Sequence, residues 1–201
     1  MYLIKKVNHT VKDIYDKVWE AANVANVNKF NWDKERNTPV TEARILYSEY
    51  GLHIRMKTDE KPLLARYTEQ NSAVCCDSCM EFFIKPFNRD ERYMNFEFNA
   101  FGTMYHSVRM SRDEFSFYDC SKEDFGVISN VADGEWTIMF TIPFRIINCI
   151  YGGYSKTMYG NIYKCAEDTE SPHYASYYEI ETPKPDFHRP EYFGEFVLED
   201  Y

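Results

Sequence analysis

Glu81 and Glu97, two acids on stretches that read as β-strands, are the first candidates for chemistry in this 201-residue chain. A carboxylate on a strand face among aromatic residues either bonds a buried partner or points into a ligand cleft. If the two strands are neighbours, the acids could act as a glycosidase couple, which needs carboxyl groups about 5 to 9 Å apart. They serve equally well as acceptors for sugar hydroxyls. Asn95, Glu97 and Asn99 share one face of their strand, and an asparagine offers donor and acceptor together, as a hydroxyl does. Other constellations are incomplete. Neither a nucleotide-binding glycine fingerprint nor a Gly-x-Ser-x-Gly elbow occurs. His188 lies between Asp186 and Arg189 with no nucleophile assigned to it, so a ring bonded within a Pro-bounded loop is the simpler reading. Cys76 and Cys79 have the spacing of half a zinc site, but no second pair follows. The six cysteines therefore read as free thiols packed like small apolar groups, and no metal is expected at them.

The elements that must position these residues are mostly strands. Val11, Ile14, Tyr15, Val18 and Trp19 recur at helical spacing and predict a short N-terminal helix. From residue 41 the period becomes two. Ala43, Ile45 and Tyr47, then Leu52, Ile54 and Met56, predict a hairpin over 41–58 with its turn at 48–51. Further strands are expected at 79–84, 92–98, 104–110, 126–131, 136–142, 159–165 and 192–198, punctuated by Pro86, Gly102, Gly134 and Pro143. Residues 144–150 are apolar, and their periodicity does not choose between strand and helix. The segment after Ser171 carries four prolines and many tyrosines and reads as ordered but irregular. Short strands separated by turns predict one all-β domain over 1–201, an antiparallel β-sandwich of jelly-roll or immunoglobulin-like type.

Composition narrows the partners. Against 23 Lys plus Arg stand 32 Asp plus Glu, a net charge of −9, which disfavours nucleic acid and anionic membranes. No run approaches the ~18 apolar residues of a membrane span. The first residues lack the apolar core of a signal peptide, so a cytoplasmic location is the expectation. The aromatic content is high, with 17 Tyr, 15 Phe and 3 Trp. Such rings fill cores, and those of Tyr and Trp also make flat platforms with a polar edge, suited to wet ligands such as sugars.

Several segments resemble the carbohydrate-binding module family 9 domain. They are the hairpin over 41–56, Asp77-Ser78-x-x-Glu81-x-Phe83, Tyr93-x-x-Phe96-Glu97-x-Asn99-x-x-Gly102, Gly134-x-Trp136 leading to Ile142-Pro143-Phe144, and Asn161-x-Tyr163. In order and spacing they mirror the family from about residue 19 to 165, and the tail resembles that of one bacterial branch of the group. The resemblance implies a β-sandwich that binds a mono- or oligosaccharide without cleaving it. In better-known members two Trp rings clamp the sugar while Glu, Asn and basic side chains hold it. Carried over, this implies carbohydrate contacts at Glu81, Glu97, Asn99, Asn161, Lys164 and Tyr177. The position of one clamping Trp is Cys75, and a thiol cannot stack on a pyranose ring. Tyr177 is the nearest counterpart of the second, and Tyr105, Tyr163 or Tyr174 could take its place. Some members hold calcium, but this sequence marks no ligands for it. A glycoside hydrolase using Glu81 and Glu97, and a structural sandwich without a sugar ligand, remain the alternatives.

Overall fold

The alternation that predicts strands is fulfilled along most of the chain. A computed structural model describes residues 1–32, 38–132 and 134–200. Among these the strands are β1 (Tyr2–Lys6), β2 (Val24–Asn26), β3 (Thr41–Tyr47), β4 (Gly51–Thr58), β5 (Cys79–Lys85), β6 (Tyr93–Asn99) and β7 (Met104–Arg109). They continue with β8 (Phe115–Ser116), β9 (Ile128–Ala132), β10 (Glu135–Pro143), β11 (Thr157–Cys165), β12 (Tyr174–Ser176) and β13 (Gly194–Leu198). One α-helix, α1 (Phe144–Tyr151), resolves the ambiguous apolar stretch. Gly152 ends it at φ 73, a left-handed conformation that costs a glycine little. The expected N-terminal helix is a single 3-10 segment, Lys17–Ala21, capped by the Asp16 side chain and burying Trp19.

The strands form one strongly curled path in the order β8-β7-β6-β5-β11-β13-β1-β3-β4-β10-β9, with β12 on β11 and β2 on β3. β1 is the corner. Tyr2 to Ile4 pair with β13, while Lys5 and Lys6 pair with β3, and both pairings are parallel. The remaining pairings are antiparallel, so the sandwich is mixed only at this junction. Tyr2 and Ile4 alternate into the core, but strand partners roughly 40 and 190 residues away leave no local trace in the sequence.

Two curled halves then face each other. Phe82, Phe96 and Phe98 on one side meet Phe140 on the other, with ring centroids 6.4, 5.4 and 4.6 Å apart. Such pairs contribute about 0.5–1.5 kcal/mol each beyond their buried area. With Ile45, Ile54, Met56, Trp136 and Ile138 they make the main core. Because side chains alternate, filling this core with Phe82, Phe96 and Phe98 turns Glu81, Phe83, Asn95 and Glu97 to the outer face of β5 and β6. That face has its own apolar cluster, built with Val74, Tyr93, Tyr163, Ile180 and Phe187.

Candidate functional site

On this outer face β5 and β6 lie in a register that sets Glu81 directly opposite Glu97, while β11 sets Tyr163 opposite Glu81. Both acids are buried, at 3% and 6% exposure. Asn95 donates to Glu97 Oε1 at 2.6 Å and itself accepts from Ser107 and, at 3.1 Å, from Arg109 Nε. Arg109 also donates to the Tyr105 hydroxyl at 2.7 Å and to the Arg112 carbonyl at 2.7 Å. Glu81 Oε1 accepts from the Cys165 thiol at 3.0 Å.

Burial dominates the electrostatics. It pushes the Glu97 carboxyl up to about 7, against the pull of Arg109 and Asn95. Burial first, and the neighbouring Glu97 second, hold Glu81 well above the usual carboxylate range. Two carboxyl groups this close in a dry site do not both ionise at neutral pH. Arg112 and Glu167, both exposed, lie near enough to influence both acids and mark the mouth of the site.

Rings enclose this polar floor. Trp32 packs against Tyr174 and Phe187 at 6.4 and 6.1 Å, and Phe187 stacks on Tyr163 at 4.2 Å. The Trp32 indole donates to the Thr182 carbonyl, which ties the early chain to the Tyr-rich tail. On the β7 side Tyr105 meets the exposed Phe117 at 5.7 Å.

The six residues implied by the resemblance do not converge. Glu81 and Glu97 meet, as described. Asn99 is wholly buried and spends its amide on the fold. It donates to the Tyr67 carbonyl and Asp77, and accepts from the Phe101 and Thr103 backbone. Asn161 is likewise spent on the Tyr178 backbone and on the amide of Ile162. Lys164 points to the inner side, fully buried, with Nζ 2.8 Å from Glu60 and 2.6 Å from the Cys165 carbonyl. Tyr177 packs on Tyr2, Tyr178 and Phe196 at the main core, away from the acids. Cys75 is half-buried beside the aromatic cluster.

Asp77 and Ser78 have structural work. Asp77 accepts from Arg66, the Tyr67 backbone and Asn99, and these bonds hold its carboxyl low although burial alone would raise it. Ser78 Oγ accepts from the Leu64 backbone. Trp32, Arg109, Arg112 and Glu167 belong to the site without being singled out by the sequence motifs. Arg109 was accessible to pattern reasoning, since Tyr105, Ser107 and Arg109 alternate on one strand face. Arg112 and Glu167 lie beyond strand ends, where no periodicity speaks for them.

A cavity of about 710 Å³ opens elsewhere, with Val11, Phe125 and Met139 among its lining and Lys12 and Lys122 at its edge. It gathers no pair of buried acids, and the outer face of β5 and β6 carries the distinctive chemistry. Among the described residues, both groups of three His, Cys, Asp or Glu side chains close enough to share an ion contain thiols. Calcium takes oxygen ligands, so neither set fits it.

The profile of carbohydrate-binding family 9 matches residues 13–198. The chain belongs to this family. As a family 9 module it is similar in fold to a candidate carbohydrate-binding protein of Bacteroides uniformis, with TM-score 0.84 and 24% identity over 98% of each chain. It is also similar to a family 9 module of Caldicellulosiruptor kristjanssonii. The cellotriose complex of that module gives TM-score 0.66 at 10% identity over 98% of this chain and 93% of the other. The glucose complex gives 0.65 at 12% over 98% and 95%. No curated protein matches the family 9 module described here. Identities this low establish the fold, a family 9 β-sandwich, and leave the ligand to the site itself.

Proposed function

We propose that this family 9 module binds a saccharide, without cleaving it, at the outer face of β5 and β6. The observation that carries the reading is the facing pair Glu81 and Glu97, which forms a polar floor between half-buried rings. Trp32 and Tyr174 stand on one side and Tyr105 on the other. Glu97, Arg112 and Glu167 supply acceptors and donors for hydroxyls, and the rings supply faces for pyranose C–H groups. Trp32 and Tyr174 take over the stacking that Cys75 cannot provide. The fold relatives bound to glucose and cellotriose make β-glucosides the first ligands to try.

Binding without cleavage fits the acids' surroundings. Glu81 accepts from the Cys165 thiol and Glu97 from the Asn95 amide, so both carboxyl groups are engaged with the protein and neither is free to attack a sugar carbon. Calorimetry with glucose, cellobiose and cellotriose at millimolar concentration tests the proposal. Binding is expected for at least one of them, weakened about tenfold or more by Glu97→Gln or Arg112→Ala, which is about 1.4 kcal/mol. Absence of heat across a broad panel of mono- and oligosaccharides would overturn it. Release of chromophore from an aryl glycoside, abolished by Glu81→Gln, would overturn the non-catalytic part.

A further inference from the structure

At one corner of the same outer face, four of the six cysteines gather. Cys79 and Cys165 are directly opposed across β5 and β11, and both side chains project to the same side. Glu81 follows Cys79 by two residues and therefore shares that side. The three groups are buried, at 0%, 1% and 3% exposure, and their donor atoms all lie within 4.8 Å of one another. Cys165 Sγ is 3.0 Å from Glu81 Oε1 and 3.4 Å from the Cys75 carbonyl.

We propose that Cys79, Glu81 and Cys165 form a binding site for a thiophilic divalent cation, zinc in the first instance. A tetrahedral zinc has sulfur at about 2.3 Å and carboxylate oxygen at about 2.0–2.2 Å, which spaces its ligands about 3.5–3.8 Å apart. The three donors need only small adjustments to meet that spacing. Without a cation the thiols keep their protons, as the Cys165 bond to Glu81 shows, and a divalent ion would offset two of the three negative charges that ligation creates in the buried site. Burial pushes the Cys79 thiol up, and the Cys79 contact and burial push Cys165 up, while the Lys164 ammonium pulls weakly the other way, so a bound cation must displace protons from both. On loading, the two S–H bonds break, two metal–sulfur bonds form, and the protons pass to solvent together with the proton of Glu81. Soft sulfur donors select zinc over calcium or magnesium. The cation site shares Glu81 with the saccharide floor but does not use the hydroxyl-binding groups Glu97, Arg112 and Glu167, so metal content and sugar affinity are separate measurements, and either can fail alone.

Metal analysis of protein purified under reducing conditions from zinc-supplemented cells is the first test. About one zinc per chain is expected, and a strong chelator should lower the Tm of the wild-type protein, a readout that needs no variant. Protein grown with cobalt(II) should show a near-ultraviolet thiolate-to-cobalt charge-transfer band. Cys79→Ser and Cys165→Ser should each abolish the band, while Cys76→Ser and Cys149→Ser should retain it. Three results would overturn the site. One is metal-free protein, with Tm indifferent to chelator, whose six thiols all react as reduced. Another is a cobalt band that survives loss of Cys79 and Cys165, or that disappears with Cys76. The last is a Cys79–Cys165 disulfide that, once reduced, takes up no cobalt.

Discussion

At the scale of the residue, Asn99 binds its own chain while Glu97 lies beside Glu81 on the outer face. Both are polar, both sit on the same strand face, and both suit a sugar hydroxyl. Asn99 nevertheless satisfies the chain itself, holding Asp77, the Tyr67 carbonyl and two turn amides in one knot. Asn99→Ala should therefore cost about 2–4 kcal/mol in urea denaturation, because buried partners lose their bonds. Lys164 makes the same point with charge. Lys164→Met strands the Glu60 carboxylate and should cost about 3–5 kcal/mol, whereas Lys164→Met combined with Glu60→Leu should recover most of that loss. A larger loss in the double variant than in the single one would contradict this account. The types and periodicity of these side chains were legible in the sequence, but the atoms opposite them were not. A backbone clamp and a ligand contact demand the same donors and acceptors, so only the partner distinguishes them.

At the scale of the element, alternation made most strands legible, and failed where partners are distant or pieces are short. β2, β8 and β12 have two or three residues each, too few for a period to register. Close approach between strands is equally silent. Gly160 on β11 sits so tightly beside β5 that a Cβ there would lie 2.3 Å from the Phe83 carbonyl oxygen. Backbone cannot yield as a flexible side chain can, so Gly160→Ala must separate the two strands that carry Glu81 and Tyr163. Overpacking of this kind costs about 1–3 kcal/mol. The expected signature is a lowered Tm together with weakened saccharide binding, since the placement of Tyr163 opposite Glu81 depends on this contact. An alanine variant as stable as wild type would show that β5 and β11 have slack. The tail is the opposite case. Its prolines and tyrosines announced an ordered irregular segment, and it lies against the outer face through Phe187 on Tyr163 and the Thr182 carbonyl on Trp32. What it covers could not be read, because nothing local says which face of the sheet it lies on.

At the scale of the whole molecule, the buried titratable groups set two opposed dependences of stability on pH. His53 is wholly buried between Ser48 and Thr141, each 2.9 Å from a ring nitrogen, and desolvation pulls it down to about 4. Burial and two arginines pull His188, beside Tyr93, down to about 3. Below pH 6.5 the unfolded chain takes up protons at these rings that the folded chain refuses, so their contribution is lost as pH falls from about 6.5 towards 4. Glu97 works the other way. Its folded value of about 7 exceeds the unfolded value, so the folded chain holds the extra proton, and stability falls as pH rises from about 4.5 to 7. Glu81 is raised in the same sense. A shift of about 2.5 pKa units corresponds to about 3 kcal/mol at most, so the His53 and Glu97 effects are comparable and largely cancel between about pH 4.5 and 6.5. Urea midpoints of the metal-free protein at the two ends of that window should thus differ little. His53→Gln should unmask the carboxyl effect and become more stable at pH 4.5 than at 6.5, and Glu97→Gln should unmask the histidines and become less stable at pH 4.5. If both variants slope the same way, the buried groups do not govern the acid response. The surface carboxylates among the 32 acidic residues of this chain would then have to account for it.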